Sequence, residues 1–149
     1  DFEGDDAGDA GFLVMMNEII QTRPDVHRGW LEAELDAQLF LADTDNANEV
    51  AKMADDQTEG MDRKILWASL YRDENRVNKL TLDFVFNDKV RNMLNASAAF
   101  LAGKKKFGKR TTLRPQAVYD EVARQVLADR GLKSPLGKID GVPLSEYRP

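Results

Sequence analysis

"RPDVHRGWLEAELDAQLFLAD", residues 23 to 43, is the stretch on which the fold turns. Read at about 100° per residue, Val26, Trp30, Ala33, Ala37, Phe40 and Leu41 fall on one face. Leu31, Leu35 and Leu39 fall on nearly the opposite one. Pro24 suits the first helical turn, where its missing N–H forfeits no bond, and Asp25 complements the positive end of the helix dipole. A surface helix needs one apolar stripe; two predict a helix sandwiched between layers.

On its N-terminal side, "DFEGDDAGDAG" alternates acids with Gly and Ala and reads as a loop, and "GFLVMM" (11–16) reads as a short buried strand. On its C-terminal side, Thr44 or Asp45 is placed to cap a shorter helix through Val50, Ala51 and Met53, ended by Gly60. "DRKILWASLY" (62–71) predicts another helix on the spacing of Ile65, Leu66, Ser69 and Leu70, and "RDENRVN" a polar connection. "LTLDFVF" (80–86) alternates as a half-buried extended segment. Asn87 caps a helix carrying Val90, Met93, Leu94, Phe100 and Leu101 inward as far as Gly103. Pro115 opens a last helix with Val118, Val122 and Val126 at four-residue steps, closed by Gly131. The tail "KSPLGKIDGVPLSEYRP" predicts an extended surface strap. A lone buried strand leaves backbone edges unsatisfied, so the orphan strand and the two-faced helix together suggest part of something larger.

The chain's 149 residues suffice for one core. Without cysteine it has no disulfide, thiolate metal site or cysteine nucleophile. The acidic N-terminus lacks the basic-then-apolar pattern of a signal peptide. Residues 1–62 carry 17 acids and 3 bases, net −14, while residues 63–149 carry 9 acids and 18 bases, net +9. Such a division suits halves that face each other, or a charged partner.

No motif names a reaction. "GKKKFGKRT" (103–111) has P-loop spacing, but a helix enters it, Arg110 stands where the magnesium-binding hydroxyl belongs, and Pro115 delays the next helix. As a nucleic-acid patch it offers one stacking ring, Phe107, beside an acidic half that repels phosphate; it reads as a solvated loop. "DTDNANEVAKMA" from Asp43 fails the calcium-loop pattern, with Asn48 in the place of Gly and Ala54 in the place of Glu. His27, the single histidine, sits among polar neighbours as a surface residue. Glu32, Glu34 and Asp36 point in different directions on a helix. "NAS" (95–97) falls inside a predicted helix, which discounts it as a glycosylation site. Trp30, Trp67 and Tyr71 read as core anchors. The expectation is a non-enzyme with no metal, no cofactor and no nucleic-acid partner.

The ordered segments "RPDVHRGWLEAELDAQLFLAD", "NEVAKMADDQT", "ILWASLY", "LDFVFNDKVRNMLNASAAFL" and "LRPQAVYDEVARQVLADRGLKSP" resemble the C-terminal half of the nitrate/sulfonate/taurine-type substrate-binding proteins of ABC transporters, over about residues 11 to 140. The resemblance implies an α/β, periplasmic-binding-protein-like (type II) fold, this segment predominantly α-helical with one or two short strands. It implies an extracytoplasmic or periplasmic component that closes two lobes over a small anionic or related solute. Sulfonates, nitrate, bicarbonate and pyrimidine-like compounds are the solutes in question, and the partner would be a membrane ABC permease. Residues 1–11 would be the acidic hinge, 12–132 the C-terminal part of a lobe and 133–149 the extended strap, with the N-terminal portion of the same protein lying outside this chain. The ligand or hinge positions so implied are Asp5, Asp6, Gly8, Asp9, Gly11 and Phe12. Two departures, "LYRDENRVN" after "WAS" and the basic "AGKKKFGKRTT", fall on outer connections. The alternative is a free-standing helical protein-interaction domain with no small-molecule ligand.

Overall fold

Pro24 and the residues behind it form the longest helix among the described residues. The structure, a computed structural model, describes residues 11–58, 60–71, 81–104 and 109–148. Helix α1 spans Asn17–Thr22, and α2 follows as Pro24–Ala42, one residue inside each sequence-predicted end. The leucine stripe of α2 is its buried face: Leu35 is 0% exposed, with Leu31 and Leu39 half-buried beside it. Those leucines pack on Val126 and Leu127 of α6 (Glu121–Asp129), with Phe84 and Val85 completing the cluster. The opposite stripe is open at Val26 and at Trp30, which is 55% exposed. The expected sandwich is thus partial: α6 covers the leucines, Leu41 at the C-terminal end of the other stripe packs on the second cluster, and that stripe meets solvent at Val26 and Trp30.

A second cluster holds α3 (Ala47–Gln57), α4 (Arg63–Leu70) and the tail together. Its buried members are Ala47, Ala51, Trp67, Tyr71, Leu82, Ile139 and Val142. Leu82 lies in β1 (Thr81–Leu82), which pairs antiparallel with β2 (Gly137–Lys138), Thr81 opposite Lys138. Leu136 packs against both clusters, and its N–H donates to the Leu82 carbonyl at 2.8 Å. That residue and helix α2, which gives Leu41 to one cluster and Leu35 to the other, join them. Helix α5 (Asp88–Gly103) lies outside both cores, and none of its residues is fully buried.

Local chemistry sets the element ends. The Asp43 carboxylate accepts from the Asp45 N–H at 3.1 Å and starts the 3₁₀ turn Thr44–Asn46. Asp62 accepts from Lys64 N–H at 2.8 Å to start α4, and Asn87 accepts from Val90 N–H at 2.9 Å to start α5. Each such cap satisfies a donor the helix cannot, typically worth about 1 kcal/mol. At the end of α6, Gly131 adopts φ +67, with Gly131 N–H donating to Ala128 O and Leu132 N–H to Leu127 O. That paired pattern requires a left-handed residue, which is why glycine stands there.

Four expectations are corrected. "GFLVMM" is not a buried strand: residues 11–16 carry no strand, and Val14 is 92% exposed. No described strand pairs with it, and the Met16 carbonyl instead accepts from the Ile19 and Ile20 N–H groups at the start of α1. The last helix opens at Glu121, not Pro115; Pro115–Ala117 is only a 3₁₀ turn, and extended Val118 (φ −120, ψ 106) interrupts it. The tail is more than a surface strap, since Ile139 and Val142 are buried in the second cluster. In α4 the inward face is turned by one position, burying Leu66 and Trp67 while Ile65 and Ser69 face outward. The Trp67 indole decides this, because its Nε1–H reaches the Val142 carbonyl at 3.1 Å.

Candidate functional site

The segment expected to border a ligand leads into α1 and ends on an aromatic stack. Asp5, Asp6, Gly8 and Asp9 lie outside the described residues. Gly11 is exposed, with open space around it, and Phe12 is half-exposed. The Phe12 ring lies nearly parallel to that of Phe86, at 5.9 Å between centroids and 5° between planes. Offset stacking of this kind contributes about 0.5–1.5 kcal/mol beyond area burial. It fixes the start of the described chain to the residue directly before the α5 cap.

Charge gathers around the same ring. The Arg91 guanidinium, one turn into α5, sits 5.8 Å from the Phe86 centroid. Arg91 Nη2 also donates to Asp120 Oδ2 at 3.3 Å, and Arg124 Nη2 donates to the same oxygen at 2.8 Å. The Phe86 N–H donates to that oxygen too, at 3.2 Å, while Arg124 reaches the Phe86 carbonyl at 3.3 Å. Asp120 is mostly buried, and the two arginine side chains are partly open to solvent. Engagement of Asp120 with these donors also explains why its side chain caps no N–H of α6.

One carboxylate oxygen thus takes donors from two guanidinium groups. Each guanidinium has five N–H donors in a fixed fork, so most of that donor capacity is left for other acceptors. Beside the half-buried Phe86 ring, such a fork suits a planar or tetrahedral oxyanion carried on an organic body. The sequence reading missed Phe86, Arg91, Asp120 and Arg124. Two signals point to them in hindsight: Asn87 as a helix cap places Phe86 at the α5 N-terminus, and Asp120 stands four residues before Arg124 on a helix start.

Other residues weighed in the sequence resolve into structural roles. His27 is buried, not a surface residue, with its ring 5.8 Å from that of Tyr119. Glu32 accepts from Arg28 at 2.8 Å, and Glu34 accepts from Gln38 at 2.9 Å. Asp36 pairs with Arg130, whose guanidinium holds the carboxyl below its usual range. Asn95 lies in α5 and accepts from the Leu113 N–H at 2.9 Å. Trp67 and Tyr71 are core anchors, whereas Trp30 is not. Among the described residues, no three His, Asp or Glu side chains converge as a metal site, and no helix is long and apolar enough to cross a membrane.

Compared with protein-family models, curated proteins and solved structures, the chain matches none.

Proposed function

We propose that the chain is part of a two-lobed solute-binding component of an ABC importer, working outside the cytoplasm and handing a small anionic solute to a membrane permease. The observation that carries this reading is the Phe12–Phe86 stack with Arg91 and Arg124 beside it. Phe12 is among the ligand or hinge positions that the family resemblance implies, and the chemistry beside its ring suits an anion with an organic body. The sulfonate and pyrimidine-like solutes fit this better than a bare inorganic ion, which leaves the aromatic surface unused. The acids Asp5, Asp6 and Asp9 favour the same choice, since they repel a bare anion and accept hydrogen bonds from a solute's amine or hydroxyl groups. No covalent step is involved; binding energy biases an open–closed equilibrium.

The test is a thermal-shift screen of the polypeptide as its source encodes it, against sulfonates, nitrate, bicarbonate and pyrimidine-like compounds. A solute at one hundred times its Kd adds about 2.7 kcal/mol of stability. One saturable stabiliser is expected, and no shift with any compound removes the support for transport.

The second reading, a free-standing interaction domain, is favoured by the open Val26 and Trp30 face of α2. It predicts partner binding that weakens when Trp30 is replaced, with no solute stabilisation.

A further inference from the structure

Residues 109–117 face α5 across an apolar groove. Ala98 and Leu101 of α5 form one wall, and Leu113 and Ala117 form the other. The opening has a volume of about 620 Å³, and Lys109, Arg110 and Arg114 stand along its rim. The wall opposite α5 is held in place: Asn95 accepts from the Leu113 N–H at 2.9 Å, and Ala117 N–H donates to Arg114 O at 2.9 Å. Phe100, 61% exposed, lies one position before Leu101, with the Lys104 ammonium 4.9 Å from its ring.

The charges on this rim stand without carboxylate partners, unlike most of the arginines on the helices. Arg28, Arg63, Arg91, Arg124 and Arg130 each hold a carboxylate. Lys104, Lys109, Arg110 and Arg114 make no ion pair among the described residues. Lys109, Arg110 and Arg114, three unpaired cations along an apolar groove, repel one another, and acidic groups arriving from outside relieve that repulsion. A partner must therefore bring both carboxylates and apolar side chains.

We propose that this groove docks an acidic amphipathic segment of a partner protein, its Asp and Glu side chains on the cationic rim and its apolar side chains over Leu101 and Leu113. A nucleic acid fits less well. The floor is aliphatic, the nearby Phe100 ring already carries the Lys104 ammonium, and the chain's net charge of −5 opposes a long polyanion. The inference stands on the groove alone and does not depend on the solute-binding reading.

The experiment is selection of a random 12-residue peptide library on the immobilised full chain, followed by binding of the selected peptides to variants. Circular dichroism checks that each variant folds; the exposed rim positions leave both hydrophobic clusters intact. Enriched peptides should share Asp or Glu around Leu, Ile or Phe. Their affinity should fall by roughly tenfold or more in Lys109→Glu/Arg114→Glu and in Leu101→Ser, and stay level in Lys52→Glu on α3. The proposal is overturned by a library without enrichment, by enriched peptides lacking net negative charge, or by peptides that bind the rim and floor variants as well as the parent. It is equally overturned if a single-stranded oligonucleotide binds in a rim-dependent manner more tightly than any peptide.

Discussion

Trp67→Phe tests how the tail is held to the helices. Trp67 is 1% exposed, stands edge-on to Tyr147 at 5.8 Å and tilted to Tyr71 at 5.4 Å, and donates its Nε1–H to the Val142 carbonyl at 3.1 Å. Phenylalanine keeps an aromatic ring but removes the donor, leaving a carbonyl in a buried place, which costs about 1–3 kcal/mol. The smaller ring also leaves a void of roughly 35–40 Å³, worth about 1 kcal/mol at about 24 cal/mol per Å³. The expected loss is therefore about 2–4 kcal/mol, with Trp67→Ala at the upper end of the large-to-small range, about 3–5 kcal/mol. Urea unfolding followed by far-ultraviolet circular dichroism measures it by linear extrapolation. The chain has two tryptophans, so a Trp30→Phe background makes Trp67 the sole indole reporter. Its emission should start blue-shifted and move to the red as the tail comes away. A loss below about 1 kcal/mol for Trp67→Phe would refute the assignment of the tail to the core, because neither the orphaned carbonyl nor the void would then exist.

Three other perturbations follow from the packing. Burial, with a smaller effect of the Asp43 charge, raises the Tyr71 phenol from 10.0 to about 12. Its contribution is therefore fully present below pH 10 and lost as pH rises toward 12, a swing of about 2–3 kcal/mol. Tyr71→Phe should lose about 1 kcal/mol at neutral pH with its bond to Leu41 O, yet lack that alkaline slope when unfolding is repeated from pH 9 to 12. Leu35→Ala should cost about 2–5 kcal/mol, while Trp30→Ala on the opposite stripe of the same helix should change stability by less than about 0.5 kcal/mol; equal costs would contradict the burial of Leu35 against an open Trp30. Asp120→Ala leaves Phe86 N–H and two arginines without their shared acceptor, and a loss of about 1–2 kcal/mol is expected by chemical denaturation, kept small by solvent at the arginines.

Where one local rule sufficed, the sequence was legible. Pro24, Asn87 and Gly131 each mark a helix end by a backbone requirement that no distant contact overrides, and α2, α5 and the close of α6 lie where those residues put them. Legibility failed where a partner decides. Periodicity recognised both stripes of α2 but held no information on what would cover each: α6 covers the leucines, and of the other stripe Leu41 meets the second cluster while Trp30 stays open. "GFLVMM" has the composition of a strand, yet a strand exists only with a neighbour to take its hydrogen bonds. In α4 the reach of one indole to a carbonyl 75 residues away turned the helix by a position. The candidate site shows the same limit. Phe12 was named only through the family resemblance, whereas Phe86, Arg91, Asp120 and Arg124 come together through tertiary contacts between two stretches of chain, 86–91 and 120–124.

The most direct measurement of solute binding is small-angle X-ray scattering from the encoded polypeptide, with and without the solute that stabilises it. Two lobes closing over a ligand become more compact by hinge motion. A radius of gyration that falls saturably with solute, at the concentrations that raise the melting temperature, is the predicted result. A radius unchanged at saturation would contradict the solute-binding account and leave the interaction-domain reading in its place.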